Sequence, residues 1–475
     1  MKTYDLITIG TGSAISVVEA MIHQNPKAKI AVIDKDEPGG ICLTRGCIPS
    51  KLLLYPADLV RLVEKARTFG IDSEIEKVDF QKVMERMRSS IYKDISDIRE
   101  GLTNSKHVDY YPEAAEFVAP YTLKVGKETI TAKMIILGTG SKPAIPPIKG
   151  IEDVGYLTSD NIVKMNELPQ SIIIVGGGYI AAEYSHFFSA MGARVQIIGR
   201  NRRFLPAEEA EVSALAQKEM SRHMDITTGH EVIRVENMAS GKKKVVAKDG
   251  TSGRLREIVS DEILVAVGRA SNADLLHPER SGIRTDENGW IAVNEFLETS
   301  MPNIWAFGDA NGRHLFKHVA NYESKVVYYN AIVGEKMKTD YHAVPHAVFC
   351  HPEIAAVGMK QKEALEAYGE DRILVGLHRY HNTAKGEAMG VGKDCFVKVI
   401  VEGGTGRILG AHIIGPQASV LIQEIINLMY TEQRDMRPIL SGMHIHPSLS
   451  EVVERAFTSL VPAPRYDQML EAGWL

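Results

Sequence analysis

The chain has 475 residues, of which 44% are hydrophobic, and its formal net charge is −5 at pH 7. This length predicts about two to four domains with their own cores, and the small net charge argues against nucleic acid and anionic membranes as partners. Four cysteines are too few for the disulfide framework of a secreted protein, and no apolar run approaches the ~20 residues of a membrane span. The first residues run directly into a strand pattern without a signal peptide, so we expect a cytoplasmic protein.

Two stretches of the chain share one pattern and predict two βαβ units. Residues 4–12 and 171–178 are short apolar runs that end in glycines, and a helical pattern follows each of them. The apolar stretches 28–34 and 193–199 close the two units. This order of elements is typical of nucleotide-binding sheets.

The remaining segments predict a scaffold around these units. Apolar residues at intervals of three or four predict one amphipathic helix over residues 80–102. The Pro- and Gly-rich stretch 140–150 predicts a linker, and the apolar run 262–268 closes the middle unit. From about residue 342 the glycine patterns stop, which indicates a third domain.

The first glycine turn predicts a dinucleotide site. Gly10 and Gly12 allow a tight turn and a close approach of a pyrophosphate to the following helix, although Ile15 stands where a third glycine is usual. Asp34 ends the next strand, ~20 residues on, where a carboxylate can accept hydrogen bonds from ribose hydroxyls. The alternative is a glycine turn beside a surface aspartate.

The second glycine turn predicts a site for NADPH. Gly176 and Gly178 begin the turn, and the strand after it ends in Gly199 without the acidic residue that would bind a ribose. Arg200 and Arg202 stand there instead, and a guanidinium can bind a 2′-phosphate that a carboxylate would repel. We therefore expect NADPH over NADH, with NADH still possible. The alternative is that these arginines only solvate a loop.

Cys42 and Cys47 lie five residues apart, just after the first βαβ unit. They lack the further cysteines or histidines of a zinc site, and a disulfide over so short a loop stabilises little by loop entropy. With two dinucleotide sites in one chain, a redox disulfide facing a flavin explains more. Two unpaired buried cysteines remain the alternative.

His446 and Glu451 suggest an acid–base pair near the end of the chain. A thiol redox cycle moves protons as well as electrons, and an imidazole held by a carboxylate serves this purpose near neutral pH. The neighbouring His444 leaves other interpretations open, because such histidine pairs are often metal ligands or core residues.

Five ordered motifs carry a resemblance to a known family. They are GGICLTRGCIPSK (39–51), ILGTGSKP (136–143), GGGYIAAE (176–183), IWAFGDA (304–310) and HPSLSE (446–451). They resemble the class I pyridine nucleotide–disulfide oxidoreductases, the flavoprotein disulfide reductases that include mycothione reductase, glutathione reductase and dihydrolipoamide dehydrogenase. The resemblance runs from Tyr4 to about Leu460 and implies an oxidoreductase acting on a sulfur group.

The resemblance implies an α/β fold with two Rossmann-like dinucleotide-binding domains and a C-terminal α+β dimerisation domain. It implies an FAD domain at 1–150 and 269–341, an NAD(P) domain at 151–268 and a dimerisation domain at 342–475. The implied FAD-binding residues are Gly10, Gly12, Ser13, Ala14, Asp34, Gly40, Lys51, Ala115, Thr139, Gly140, Gly308 and Asp309. The implied NAD(P)-binding residues are Gly176, Gly178, Tyr179, Ile180, Glu183, Arg200, Arg202 and Gly268. No metal is expected.

The resemblance also implies catalytic roles. Cys47 is the thiol next to the flavin, and Cys42 is the thiol that attacks the substrate disulfide. Lys51, paired with Glu183, is expected near flavin N5, and Tyr179 is expected to gate the nicotinamide pocket. His446, held by Glu451, is the acid–base and comes from the other subunit in this family, which implies a homodimer.

Subfamily motifs favour reduction of a low-molecular-weight disulfide. GRASNADLL (268–276), KHVANYES (317–324) and IHPSLSEVVERAF (445–457) look most like mycothione reductase. CLTRGCIPSK and HPEIAAVG also suit dihydrolipoamide dehydrogenase, which uses NAD and would add a lipoyl-bearing acyltransferase as partner. A non-catalytic redox sensor and a metal-ion or quinone reductase are the alternatives of other kinds.

Two features depart from the family pattern. Arg45 stands between the two cysteines, where relatives commonly carry a small apolar residue. We expect it either to lower a thiol pKa or meet an anionic disulfide, or else to point into solvent. Residues 462–475 extend beyond the usual end of the family and are expected either to pack on the dimer or to stay loose.

Overall fold

The structure, a computed structural model, describes residues 1–473. Its first sheet has seven strands, with parallel pairing at its centre and an antiparallel extension at one edge. The spatial order is β3 (Val108–Tyr111), β2 (Ile30–Ile33), β1 (Lys2–Ile9), β6 (Glu128–Leu137), β5 (Thr122–Val125) and β4 (Ala115–Ala119), and β16 (Ile304–Ala306) pairs with β6. The central strands are buried on both faces, which explains their nearly continuous apolar sequence.

The middle of the chain forms a four-stranded parallel sheet and a three-stranded antiparallel sheet. The parallel sheet has the order β10 (Asp225–Thr227), β9 (Arg194–Ile198), β8 (Ser171–Val175) and β14 (Glu262–Val265). The antiparallel sheet contains β11 (His230–Asn237), β12 (Lys243–Asp249) and β13 (Leu255–Ser260). The predicted linker 140–150 contains β7 (Ser141–Pro143), which pairs with β15 (Arg269–Ser271). The segment that leads into the middle part of the chain therefore pairs with the segment that leads out of it.

The C-terminal part is a six-stranded antiparallel sheet with helices against it. Its order is β17 (Pro345–Val348), β18 (Ile354–Gly358), β21 (Ile408–Ile414), β20 (Phe396–Glu402), β19 (Ile373–Arg379) and β22 (Val461–Pro462). The fold class predicted from the sequence is therefore confirmed, with two parallel sheets followed by an α+β unit.

The α-helices surround these sheets. Over the described residues they are α1 (Ile15–Gln24), α2 (Gly40–Thr44), α3 (Cys47–Ala66), α4 (Phe80–Thr103), α5 (Ile151–Val154), α6 (Tyr179–Met191), α7 (Ala210–Met220), α8 (Lys317–Val327), α9 (Gln361–Tyr368), α10 (Ala384–Ala388), α11 (Ala418–Met429), α12 (Arg437–Ser441), α13 (Glu451–Thr458) and α14 (Ala463–Glu471). The long helix predicted over 80–102 is α4, which begins after Asp79, whose side chain accepts from the N–H of Lys82. None of the described helices is both long and apolar enough for a bilayer crossing.

One apolar cluster fixes the helix that begins at Cys47. Leu53, Leu54 and Ala57 of α3 are buried with Phe187 of α6 and Met87 of α4. Their spacing places them on one face of α3, as expected for an amphipathic helix. The packing holds α3 against α6, and both helices begin at the candidate site.

The C-terminal extension packs on its own chain, so the expectation that it stays loose is wrong, and packing on the dimer stays a prediction. β22 pairs with β19, and α14 buries Tyr466, whose ring lies 4.9 Å from Nζ of Lys398. The Tyr466 hydroxyl donates to Glu211 of α7 at 3.1 Å. Residues 474–475 lie outside the described residues.

Candidate active site

An elongated cleft of about 540 Å³ runs from the first glycine turn to the two cysteines. All of the FAD residues expected from the sequence line it, namely Gly10, Gly12, Ser13, Ala14, Asp34, Gly40, Lys51, Ala115, Thr139, Gly140, Gly308 and Asp309. Cys42, Cys47, Tyr179, Ile180 and Glu183 line the same cleft. The fold therefore brings residues from both glycine turns and the cysteine pair to one place.

The first glycine turn forms a cradle that leaves no room for side chains. A Cβ on Gly10, which has φ +103°, would lie 2.1 Å from the carbonyl oxygen of Gly138. A Cβ on Gly40 would lie 2.6 Å from Cα of Gly12. Helix α1 begins at Ile15, so the turn forms without the third glycine, and Ala14 is buried beside Gly138. This backbone allows the close approach that a dinucleotide pyrophosphate requires.

Asp34 is held at the end of β2 by the turn itself. Its Oδ2 accepts from the N–H of Thr11 at 2.8 Å and from the Thr11 hydroxyl at 2.5 Å. Burial raises the pKa of the Asp34 carboxyl, while these hydrogen bonds oppose the shift. The carboxylate lies at the cleft wall, where a ribose hydroxyl would find an acceptor.

Charged and polar groups line the other side of the cleft. The Ser141 hydroxyl donates to Oδ2 of Asp309 at 2.5 Å, and Nε of Arg269 donates to Ser141 at 2.6 Å. Burial raises the pKa of Asp309. Lys317 donates to the hydroxyl of Ser13 at 2.9 Å, and burial lowers the pKa of this ammonium group. A half-buried lysine at the glycine turn fits the anionic part of FAD.

Cys42 and Cys47 form a disulfide, with their Cα atoms 4.8 Å apart. Cys42 lies in the short helix α2, and Cys47 is the first residue of the 20-residue helix α3. Only Arg45 and Gly46 connect the two helices. A thiolate at Cys47 would be stabilised by the positive end of the α3 dipole.

Lys51 and Glu183 form an ion pair inside the cleft. Nζ of Lys51 lies 2.9 and 2.8 Å from the two carboxylate oxygens, and 4.6 Å from the centre of the Phe349 ring. The Glu183 carboxylate also accepts from the N–H of Phe349 at 3.1 Å. The pair therefore has a fixed orientation beside Cys47.

Arg45 is held by ion pairs and does not point into solvent, while its effect on a thiol pKa stays a prediction. Its Nη2 lies 2.6 Å from Oδ2 of Asp36, its Nε lies 3.0 Å from Oδ2 of Asp160, and its Nη1 donates to the Thr44 hydroxyl at 3.2 Å. The side chain is 20% exposed. Arg45 thus does not point into solvent, and two carboxylates already neutralise the charge that an anionic substrate would meet.

Tyr179 stacks on a histidine of the C-terminal unit. The rings of Tyr179 and His346 are 5.3 Å apart with an angle of 19°, and Nε2 of His346 lies 2.7 Å from Oε1 of the buried Glu208. Burial and the charge of Glu208 raise the pKa of Tyr179. The C-terminal unit therefore contributes to the wall of the cleft, which the sequence did not indicate.

The second glycine turn repeats the geometry of the first. A Cβ on Gly176, which has φ +131°, would lie 2.1 Å from the carbonyl oxygen of Ala266. Gly178 precedes α6, and Gly268 follows β14, while Arg200 and Arg202 are exposed after β9. These residues lie at the carboxyl ends of the parallel strands, outside the lining of the main cleft.

His446 and Glu451 contact each other but lie outside that lining. Nδ1 of His446 is 3.0 Å from Oε1 of Glu451, and the imidazole is 68% exposed. The hydrogen bond from His446 lowers the pKa of Glu451, and the N–H of Ser448 and the charge of Arg455 add to this effect. Within the single described chain, the imidazole of His446 is exposed while Glu451 is buried behind it, and neither lines the cleft with the cysteines.

Sequence reasoning missed several residues of the cleft. Arg269 and Lys317 lie in the motifs GRASNADLL and KHVANYES, which were used only to assign the subfamily, and Phe349 lies two residues before HPEIAAVG. Their polar or aromatic character next to glycine- and proline-rich turns was the available signal. Among the described residues, no cluster of three or more histidine, cysteine or acidic side chains could hold a metal ion.

Comparison with known proteins assigns the fold to a family. Residues 4–333 match the pyridine nucleotide-disulphide oxidoreductase family, and residues 344–457 match the dimerisation domain of the same family. The chain belongs to this family. It is an oxidoreductase of disulfides that depends on FAD and a pyridine nucleotide, and the dimerisation domain indicates a homodimer.

Individual relatives cover almost the whole chain. Mycothione reductase from Mycobacterium tuberculosis is 36% identical over 471 residues, covering 97% of this chain and 100% of that protein. Dihydrolipoyl dehydrogenase from Chlamydia muridarum is 31% identical over 470 residues, covering 98% of both. The Cu(II) complex of the HOCl-induced flavoprotein disulfide reductase RclA from Escherichia coli superposes with a TM-score of 0.85 at 26% identity, covering 96% of this chain and 99% of that chain.

Proposed function

We propose that this protein reduces a low-molecular-weight disulfide with NADPH, in the manner of a mycothione reductase. The observation that carries the proposal is the Cys42–Cys47 disulfide at the inner end of the cleft, beside the Lys51–Glu183 pair. The similarity to mycothione reductase over 97% of the chain supports the substrate class. A cytoplasmic location is part of the proposal, since Cys350 and Cys395 are free thiols.

The proposal assigns each unit a binding role. Residues 1–150 and 269–341 bind FAD, residues 151–268 bind NAD(P), and residues 342–475 form the dimer. The cradle of Gly10, Gly12 and Gly40 holds the FAD pyrophosphate, and Asp34 and Asp309 orient its hydroxyl groups. FAD bound there supplies two-electron transfer from the reduced nicotinamide to the disulfide.

The exposed arginines after β9 support NADPH as the reductant. Arg200 and Arg202 are both exposed, so their guanidinium groups are accessible to a 2′-phosphate. Gly176 and Gly178 allow the pyrophosphate to approach α6, with Ile180 and Gly268 at the same edge. Tyr179 must leave its place on His346 before a nicotinamide can stack in the cleft.

The cysteines then carry the electrons to the substrate. The reduced Cys42 thiolate attacks one sulfur of the substrate disulfide, which releases the first thiol and leaves a mixed disulfide. Cys47 attacks Cys42, which restores the protein disulfide and releases the second thiol. Each leaving thiolate takes up a proton, which His446 of the partner subunit supplies while Glu451 holds its ring.

The substrate panel is the test of this proposal. The protein with FAD bound is assayed with NADPH and NADH against mycothiol-type, glutathione, coenzyme A and lipoamide disulfides. The expected result is a kcat/KM at least tenfold higher with NADPH, and turnover of one low-molecular-weight disulfide that is lost in Cys42→Ser. Retained turnover in Cys42→Ser contradicts the role of the disulfide.

Dihydrolipoamide dehydrogenase is the second candidate, because several relatives of 31–33% identity are dihydrolipoyl dehydrogenases. This function oxidises dihydrolipoyl groups of an acyltransferase partner with NAD. Higher activity with lipoamide and NADH than with any other pair in the panel would favour it.

A further inference from the structure

The loop between the two cysteines is tied to both dinucleotide units through one side chain. Arg45 lies in the two-residue connector between α2 and α3, so its backbone stands between Cys42 and Cys47. Its guanidinium contacts Asp36 at 2.6 Å and Asp160 at 3.0 Å. Asp36 follows the strand β2 of the first sheet, and Asp160 lies in the turn that leads toward the second sheet.

The contacts use all three nitrogens of the guanidinium. Nη1 donates to the Thr44 hydroxyl at 3.2 Å, and that hydroxyl donates to the carbonyl of Gly40 at 2.9 Å. The side chains of Arg45, Asp36 and Asp160 are 20%, 36% and 24% exposed. A planar guanidinium can hold two carboxylates in fixed directions, which an ammonium group cannot.

The connector backbone is also packed tightly. The N–H of Arg45 donates to the carbonyl of Ile41 at 3.0 Å, and the N–H of Ser50 donates to the carbonyl of Gly46 at 3.1 Å. A Cβ on Gly46 would lie 2.8 Å from the Ile41 carbonyl oxygen. The connector therefore has contacts on its backbone and on its only long side chain.

The contacts continue from Asp160 to the far side of the cleft. Oδ1 of Asp160 lies 3.6 Å from Nη1 of Arg269, and Arg269 donates to Ser141, which donates to Asp309.

Burial opposes ionisation of Asp36, but Lys35 and Arg45 outweigh it and hold its pKa below the usual value. The Asp36 carboxylate is thus available as a charged anchor.

We propose that Arg45 is a positioning residue that clamps the connector to Asp36 and Asp160, and so holds Cys42 close to Cys47 in the reduced enzyme. The inference deepens the proposed function and rests on the redox role of this disulfide. A held connector keeps the effective concentration of one thiol at the other high, which favours the disulfide. Loss of the clamp therefore makes the disulfide easier to reduce.

A simple electrostatic role predicts the opposite sign. If the positive charge of Arg45 mainly stabilised a thiolate, its removal would disfavour the reduced form and make the disulfide harder to reduce. The direction of the shift in Arg45→Met therefore separates the two explanations.

The experiment measures the disulfide–dithiol equilibrium of the FAD-bound enzyme in dithiothreitol buffers, with alkylation and mass spectrometry as the readout. For Arg45→Met we expect an approximately tenfold smaller constant for disulfide formation, which corresponds to ~30 mV. Arg45→Lys keeps the charge but can reach only one carboxylate, so we expect a smaller shift in the same direction. It also carries the test if Arg45→Met fails to fold.

Two further variants make the assignment specific. Asp36→Asn in the Arg45→Met background is expected to add little to the single change, because both remove the same contact. Arg67→Met is the matched control, since Arg67 forms a fully exposed ion pair with Asp72 at the end of α3. The clamp is overturned if both Arg45 variants leave the constant for disulfide formation unchanged or shift it in the opposite direction.

The design separates the clamp from the proposed function. Dithiothreitol reduces the disulfide without a nicotinamide or a substrate, so the clamp is measured independently of turnover. Failure of the wild-type enzyme to reduce any disulfide in the panel overturns the proposed function, whatever the Arg45 variants do.

Discussion

Lys51 and Glu183 join the helix that begins at Cys47 to the helix that begins at Tyr179, with Nζ 2.8 Å from Oε2. The two residues are 132 positions apart in sequence, and the packing of α3 on α6 brings them together. The pair places one charged, oriented group in the cleft beside Cys47 and Tyr179.

Lys51→Met is expected to slow reduction of the bound flavin by NADPH on the order of a hundredfold, because a preorganised cation beside the reacting groups is lost. Stopped-flow absorbance measures the rate. Lys65→Met is the control on the same helix, since Lys65 lies over Phe69 away from the cleft. Equal rates in wild type and Lys51→Met contradict the role.

Thiol titration should distinguish the two kinds of cysteine. Burial raises the pKa of Cys395 to about 12 and also raises that of Cys350, so neither forms a reactive thiolate near neutral pH. We expect no reactive thiol in the native oxidised enzyme and a pair, Cys42 and Cys47, after reduction. Mass spectrometry of the alkylated protein checks this, and labelling of Cys350 or Cys395 in the native state contradicts it.

Arg200→Ala combined with Arg202→Ala should raise KM for NADPH by about tenfold to a hundredfold while leaving KM for NADH nearly unchanged, because the lost contacts involve only the 2′-phosphate. Steady-state assays with both nucleotides measure the ratio. Arg222→Ala removes a similar exposed arginine of the same unit and serves as control. A similar rise of KM for NADH would show that the two substitutions damage nucleotide binding in general and do not act through the 2′-phosphate.

Mixed dimers can show which subunit supplies the acid–base. Cys42→Ser and His446→Ala homodimers are each expected to be nearly inactive. If His446 acts across the interface, random exchange of subunits restores about a quarter of the wild-type activity, since half of the dimers regain one complete site. No recovery, with exchange verified by mass spectrometry, would place both residues in the same subunit.

Glu451 should make stability depend on pH in one direction. Its hydrogen bond with His446 lowers its pKa in the folded state, so its contribution is present above the unfolded pKa near 4.5 and is lost as pH falls through the lower folded value. The free energy of unfolding of Glu451→Gln, measured in urea, should therefore differ from that of wild type at pH 7. This difference should shrink below pH 4. A difference that grows toward acid pH would contradict this sign.

Much of the fold and the cleft could be predicted because short-range patterns specify them. Gly10 and Gly176 mark the two turns, and the apolar spacing of residues 80–102 marks α4. The partners of Arg45 could not be predicted, because Asp160 is 115 residues away and meets it only after the units pack. His346 was missed for the same reason, since no local pattern places a C-terminal strand against Tyr179.

The contact between Glu211 and the C-terminal part has a consequence for synthesis of the chain. Lys398, whose Nζ lies 2.7 Å from Glu211, is made 187 residues later, and Tyr466 is made 255 residues later. At ~5–20 residues per second, the ribosome needs roughly 10–50 s to deliver both partners. During that interval the acidic start of α7 lacks these two partners and faces water. Limited proteolysis of ribosome-bound chains halted at residue 390 should therefore cut near residues 205–212, and the released full-length chain should resist.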